Sequence, residues 1–416
     1  MVSMRTGDGF RNVVVTAVAA TTPLAADAEG TWAGLLAGDS GIRPLDRPFV
    51  TDFDSPVRIG GRLVENFADQ LSRVELRRLG FMQQMSTLLS RRLWETAGNP
   101  DVDTKRLLVS IGLALGSTEE IPIQHNAWKE RGMRAISPLT VQMHMPNSAA
   151  AAVGLDRQAK AGVISPVMSD ASGAAAITEA WRHIVLGEAD VAICGGVETV
   201  VEAVPVACFT QLGMLSTHND DPAAACRPFD QERDGMVFGE GGALLLIEAE
   251  EHAKARGATI LARVMGGAIT SDAYDPIDLE PGGECAAEAI GRAIYLAGLE
   301  PTDIDHVNAH AAGTRTGDLA EAHALQRVFG AHRPAVYAPK AALGNALGAA
   351  GAIEAVLTVQ ALRDGVVPPT LNLKNLDPEI DLDVVAGESR RGDYRYALTT
   401  SMGIGGHNVA VVFGAY

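Results

Sequence analysis

The sequence predicts a layered α/β protein. Three observations carry this reading. Short, strongly apolar runs recur along the chain, and helical periodicities fill the gaps between them. Glycine is abundant (44 of 416 residues) while aromatics make up only 5%, a composition suited to close helix–sheet packing. In chain order, the strand candidates are NVVVTAVAA (12–20), RLLVSIGLAL (106–115), VAICGGV (191–197), GGALLLIEA (241–249), HVNAHA (306–311), AVYAPK (335–340) and NVAVVFG (408–414). The clearest helix precedes the third of these. Ile177, Ala180, Trp181, Ile184 and Val185 fall on one face, and the pattern stops near Gly187. Near 250–264 a charged helix gives way to a new strand, which divides the chain into halves 1–258 and 259–416. No low-complexity linker separates them, so they are expected to share one core.

Composition narrows the class. With 47% hydrophobic residues the chain can bury a large core. The formal charge of -17 argues against general nucleic-acid binding, although it leaves room for a local basic patch. Cys194, Cys208, Cys226 and Cys285 are scattered, and no spacing suggests a metal site. They read as free thiols of a reducing compartment, so a cytoplasmic protein is expected. The N-terminal apolar run is too short for a signal peptide, and no window is long enough for a membrane span. No cofactor is expected.

The chemistry is concentrated in four places. SPVMSDASGAAAI (165–177) reads as strand end, tight turn and helix start, the corner on which many α/β enzymes present a nucleophile. The residue at that corner is Asp170. NAHAAGTRTGDLAE (308–321) places His310 at a strand end, followed by a Gly/Thr loop and a helix carrying Glu321. APKAALGNALGAAGA (338–352) carries Lys340, a Gly-flanked Asn345 and a small-residue helix, and SMGIGGHN (401–408) is a glycine hairpin before the last strand. Singly each is a weak signal: a strand-end His is ordinarily a satisfied polar residue, and a glycine hairpin a turn.

In this order the four resemble the β-ketoacyl-ACP synthases of the KAS I/II type. TWAGLLAGDSGI (31–42), RPFDQERDGMVFGEGGALLL (227–246) and PPTLNLKNLDPEIDLDVV (368–385) extend the resemblance almost end to end. The chain is similar in particular to the mycobacterial elongation synthases of mycolic-acid synthesis. The resemblance implies a five-layer α-β-α-β-α thiolase fold with two duplicated halves, and a dimer. It also implies a site in which an elbow Cys accepts an acyl chain as a thioester. Two donors then stabilise the enolate formed when malonyl-ACP loses CO2, and backbone N–H groups hold the oxyanion.

Transferred position by position, the nucleophile matches Asp170 and the first catalytic His matches His310. The Lys matches Lys340, its carboxylate partner Glu321, and the second His Asn345. The usual His-Gly-Thr-Gly-Thr reads HAAGT, with Ala311 and Ala312 substituted and Thr314 retained as a substrate contact. The glycine hairpin reads TSMGIGG, which puts Met402, Ile404, Gly405 and Gly406 at the acyl site, with Ile404 at its gate.

Asp170 cannot replace a thiolate as acyl acceptor, since a carboxylate would form a labile anhydride. Ser169 is adjacent, but its side chain is expected to point away. An ionised Asp170 about 5 Å from a developing enolate would repel it by about 3 kcal/mol at an effective dielectric of about 20. Lys340, a protonated His310 and the helix dipole would offset part of this. Three readings follow: a non-condensing subunit that binds acyl-ACP or acts as a chain-length factor, with Asp170 closing an electrostatic network with His310 and Lys340; a malonyl-ACP decarboxylase; or a residual 3-oxoacyl-ACP synthase. The partners implied are acyl carrier protein and a second synthase subunit, in a homodimer or a heterodimer. SRVELRRLGFMQQMSTLLSRR (72–92) reads as one helix with Arg73, Arg77 and Arg78 near one edge, either a docking site for the acidic carrier or an ordinary solvated face. Residues 138–155, with Met143 and Met145, resemble the dimer and acyl-pocket region, and would serve equally as plain core.

Overall fold

The computed structural model describes residues 10–416. The reading that no signal peptide is present rests partly on residues 1–9, which lie outside that range. The N-terminal half runs β1 (Val13–Thr21), α1 (Arg73–Arg78), α2 (Phe81–Thr96), β2 (Leu107–Gly112), α3 (Ser148–Arg157), β3 (Gly162–Ile164), α4 (Ser172–Val185), β4 (Val191–Glu198) and β5 (Gly241–Ala249). The C-terminal half runs β6 (Ala262–Ser271), α5 (Glu284–Leu296), β7 (His306–Asn308), α6 (Arg315–Phe329), β8 (Ala335–Tyr337), α7 (Ala350–Asp364), β9 (Tyr396–Gly403) and β10 (His407–Gly414). Turns and further helices, among them Ala28–Ala37, Glu120–Arg131 and Ala203–Gln211, join them.

The ten strands form one mixed sheet in the order β8-β7-β9-β10-β6-β1-β5-β4-β2-β3. Read outward from the centre, the two halves carry the same order and the same strand directions. β6-β10-β9 and β1-β5-β4 pair antiparallel, while β9-β7-β8 and β4-β2-β3 pair parallel. The halves meet where Val13–Val15 of β1 pairs antiparallel with Val264–Ala262 of β6. This is the duplication that the resemblance implies.

Five layers follow from which helix covers which face. α2 and α3 pack on the outer side of the N-terminal strands and α5 on the outer side of the C-terminal strands, while α6 packs against α5 and shares its apolar cluster with Val307 of β7 and Leu398 of β9. α4 and α7 lie between, touching strands of both halves. A helix enclosed on all sides needs an apolar circumference, and residues 350–362 of α7 are all buried. The two central helices also need small residues. A Cβ on Gly173 would lie 2.9 Å from the Ala352 nitrogen, and one on Gly351 would lie 2.9 Å from the Ala174 Cβ.

Some elements depart from expectation. The 72–92 segment is two helices, α1 and α2, because Leu79 is extended and Gly80 starts a new helix with the Gln83 side chain accepting from its N–H at 2.8 Å. The apolar runs at 306–311 and 335–340 supply strands of only three residues each, and their remainders carry site residues. β3 and β9 were not foreseen: β3 is short and half-exposed, and β9 (YALTTSMG) buries Thr399, Thr400 and Ser401 where a strand pattern leads one to expect apolar side chains. Among the described residues, no helix is long and apolar enough to cross a membrane.

Candidate active site

The site is assembled by both halves at the N-terminal ends of the central helices. Asp170 sits at the turn before α4. Ser169 adopts φ +52°, a left-handed conformation that L-residues seldom occupy and that turns the chain sharply. Ser172 ties the corner: its hydroxyl donates to the Ser169 carbonyl at 2.6 Å and accepts from the Met168 N–H at 2.8 Å. The glycine hairpin presses against this corner, since a Cβ on Gly403 would lie 2.7 Å from the Met168 oxygen and 3.1 Å from the Asp170 nitrogen.

The Asp170 carboxylate is buried, with 4% exposure. Oδ1 accepts from the Asn345 amide at 2.7 Å, Oδ2 accepts from the Ser169 hydroxyl at 2.9 Å, and the residue's own N–H turns toward the carboxylate. Burial raises its proton affinity, and the Asn345 hydrogen bond followed by the charge of Lys340 opposes the rise. One expectation is corrected here. Ser169 does not point away but bonds Asp170, because its left-handed backbone turns the side chain toward the carboxylate. Among the described residues no hydrogen bond joins Asp170 to His310 or Lys340, and the link to Lys340 is one of charge alone.

His310 and Lys340 come from the C-terminal half. The Lys340 ammonium donates to the His310 carbonyl, pairs with Glu354 of α7 and lies 3.3 Å from His310 Nδ1. An ammonium offers only donors, so Nδ1 accepts and the ring proton resides on Nε2, which has no protein partner. Burial, then the Lys340 charge, hold the His310 ring well below its ordinary pKa. It is neutral, not the protonated His310 expected.

The pairing of Lys340 with Glu321 is also corrected. Glu321 accepts from the backbone N–H groups of His310 (2.9 Å) and Ala311 (2.7 Å) and from the Thr400 hydroxyl (2.6 Å). Its oxygens are filled by fixing the loop after β7, and Glu354, one α7 turn past the N-terminus, reaches Lys340 instead. Glu354 escaped the sequence reading; its one signal was that it is the lone charged residue in the run GAIEAVLTVQAL. Burial pushes the Glu354 carboxyl up and Lys340 pulls it down.

Asn345 is fixed at its other end, where its side-chain oxygen accepts from the Leu347 N–H at 3.0 Å. The HAAGT loop is held by a buried anchor also missed at first. Arg233 donates to Asp377 (2.6 Å) and to the carbonyls of Thr314 (3.1 Å) and Arg315 (2.8 Å), while Asp318 accepts from Gly313 and Phe229 N–H groups. A cleft of ≈ 280 Å³ opens above these groups. Asp170, His310, Thr314, Met402 and Ile404 line it, as do Met214 and Met236. Gly405 and Gly406 shape the hairpin turn at positive φ without lining the cleft. Arg73, Arg77 and Arg78 are exposed on α1, away from the cleft lining.

Family models described as the N-terminal and C-terminal domains of β-ketoacyl synthase match residues 10–253 and 261–374. A 3-oxoacyl-[acyl-carrier-protein] synthase 2 of Mycobacterium tuberculosis is 66% identical over 417 residues, covering 100% of both chains. The ishigamide ketosynthase/chain length factor superposes with a TM-score of 0.90 at 28% identity, covering 98% of this chain and 100% of its own. A type II polyketide acyl carrier protein in complex with its hexaketide-bound ketosynthase gives a TM-score of 0.90 at 27% identity, with the same coverage.

Proposed function

The chain belongs to the β-ketoacyl synthase family, and from that premise we propose that it binds acyl groups carried on acyl carrier protein without condensing them. The observation that carries this is the carboxylate at the elbow. It occupies the place of the sulfur nucleophile, draws the elbow N–H toward itself and holds the Asn345 amide at 2.7 Å. Loss of a nucleophile in an enzyme of comparable logic costs roughly 10⁶ in kcat. The decarboxylase reading is weakened by the same bond, since one of the two donors it needs is already spent on Asp170.

The partner reading rests on two surfaces. Arg73, Arg77 and Arg78 form an exposed basic edge on a chain that is otherwise strongly acidic, suited to an acidic carrier. Around the free edge of β3, Val141, Met145, Leu155, Val163 and Val167 are all exposed. An unpaired strand edge beside such an apolar face fits a second subunit of the same fold, either another copy or an active synthase whose acyl tunnel this chain shapes. The similarity to a ketosynthase/chain length factor pair supports that arrangement, and a cytoplasmic place in mycolic-acid-type elongation accords with the mycobacterial relatives.

Titration with octanoyl-ACP followed by intact mass spectrometry tests the reading. The expected result is saturable binding with no octanoyl adduct on this chain, and partial acylation of the Asp170→Cys variant. An adduct on the unsubstituted chain, or absence of binding, overturns it.

A further inference from the structure

We infer that the cleft hydrolyses the thioesters it admits, with Asp170 as general base toward water and His310 as hydrogen-bond donor to the thioester oxygen. The inference rests on the binding reading above and goes beyond it.

Four features of the site support this step. First, among the described residues no cysteine lines the cleft, so the bound thioester meets no sulfur nucleophile there. Second, the Asp170 carboxylate is fixed by Asn345 and Ser169, one on each oxygen. A carboxylate has roughly four acceptor positions, so capacity remains for a water in the cleft that Asp170 lines. Burial raises the proton affinity of this carboxylate, the direction a base working near neutrality requires. Third, Lys340 fixes the His310 tautomer, and the Nε2–H is left without a protein acceptor in a side chain only 6% exposed. A neutral imidazole that donates without transferring its proton suits a developing oxyanion. Fourth, Asp234, Asp278, Thr314 and Thr316 also line the cleft, which makes it wet enough to supply the water.

The step balances without a further reactant. The water oxygen bonds to the thioester carbonyl carbon, and Asp170 takes one water proton. The tetrahedral intermediate collapses with cleavage of the carbon–sulfur bond. The proton passes from Asp170 to the departing thiolate, giving a carboxylic acid and the carrier thiol.

The experiment uses the full chain and octanoyl-ACP, with thiol release and carrier binding measured in parallel, followed by a single turnover in ¹⁸O-water. Release above the buffer rate is expected, lowered roughly 10²-fold in Asp170→Asn when normalised to bound carrier. Label is expected in the released octanoate and absent from the protein. Binding without release by the unsubstituted chain overturns the inference and leaves the binding reading standing, whereas failure to bind overturns both. Label appearing in Asp170 overturns the general-base step, because it marks an anhydride formed by the carboxylate itself. Equal release by Asp170→Asn and His310→Ala overturns it too, and if Asp170→Asn does not fold, the isotope result on the unsubstituted chain decides.

Discussion

On the reading proposed above, the carboxyl group at position 170 accepts hydrogen bonds where an acyl-accepting sulfur is expected. Asp170 draws on Asn345, Ser169 and its own N–H, so three donors converge on this one carboxyl group. Another buried group gives a test of charge in the core. His306 bonds the Ala335 carbonyl through Nδ1 at 2.7 Å, leaves Nε2 without a partner, and is pushed down to about 4 by burial. A base whose pKa is lowered on folding stabilises the fold when neutral, so that contribution is present above about 6.5 and is lost as the pH falls toward 4. Between pH 7 and pH 5 the loss is about 2 kcal/mol. Urea denaturation should show His306→Phe losing less stability than the parent over that interval; an equal loss in both would mean His306 does not titrate with folding. Asp170, His310, Lys340 and Asn345 were legible only together, because four runs that are weak signals singly occur in the order the resemblance supplies. Glu354 was not, since its pairing with Lys340 depends on where α7 passes, and the resemblance pointed instead to Glu321 on the helix after the HAAGT loop.

At the level of single elements, α1 shows how a capped helix of one and a half turns presents charge. Ser72 and Glu75 form a capping box, with the Glu75 carboxylate accepting from the Ser72 N–H at 2.8 Å, and this holds the Glu75 carboxyl down to about 2. Arg77 and Arg78 lie in the last turn, where cations favour the helix dipole. Reversing both, in Arg77→Glu/Arg78→Glu, should weaken acyl-ACP binding at least about tenfold at low salt, with the difference shrinking at high ionic strength. Calorimetric titration at two salt concentrations checks this; unchanged affinity at low salt would reduce the cluster to a solvated face. The arginines were visible in the sequence, but the break that isolates them was not. A helical pattern running through 72–92 conceals Gly80, whose effect comes from packing: a Cβ there would lie 3.2 Å from the Met143 Cβ. β9 was hidden for the opposite reason, because its buried hydroxyls break the apolar run that marks a strand.

Across the whole molecule, strand alternation and small-residue helices were enough to read a layered α/β protein, and the resemblance supplied the duplication that strand order then displays. What no local pattern could reveal is that one sheet spans both halves. Its β3 edge, with exposed Val163 beside Leu155 and Val141, belongs to the same scale. Light scattering should find a two-subunit particle, and Val163→Arg combined with Leu155→Arg should drive it toward single chains at micromolar concentration. A single chain in the unsubstituted protein would remove the dimer reading. The β1–β6 pairing has a consequence for how the protein is made. β1 precedes the other nine strands, yet its neighbours are β5 and β6, and its partner Val264 is roughly 250 positions downstream. It must therefore wait, unpaired on both edges, until β5 follows from Gly241 onward, which leaves it open to wrong pairing during synthesis.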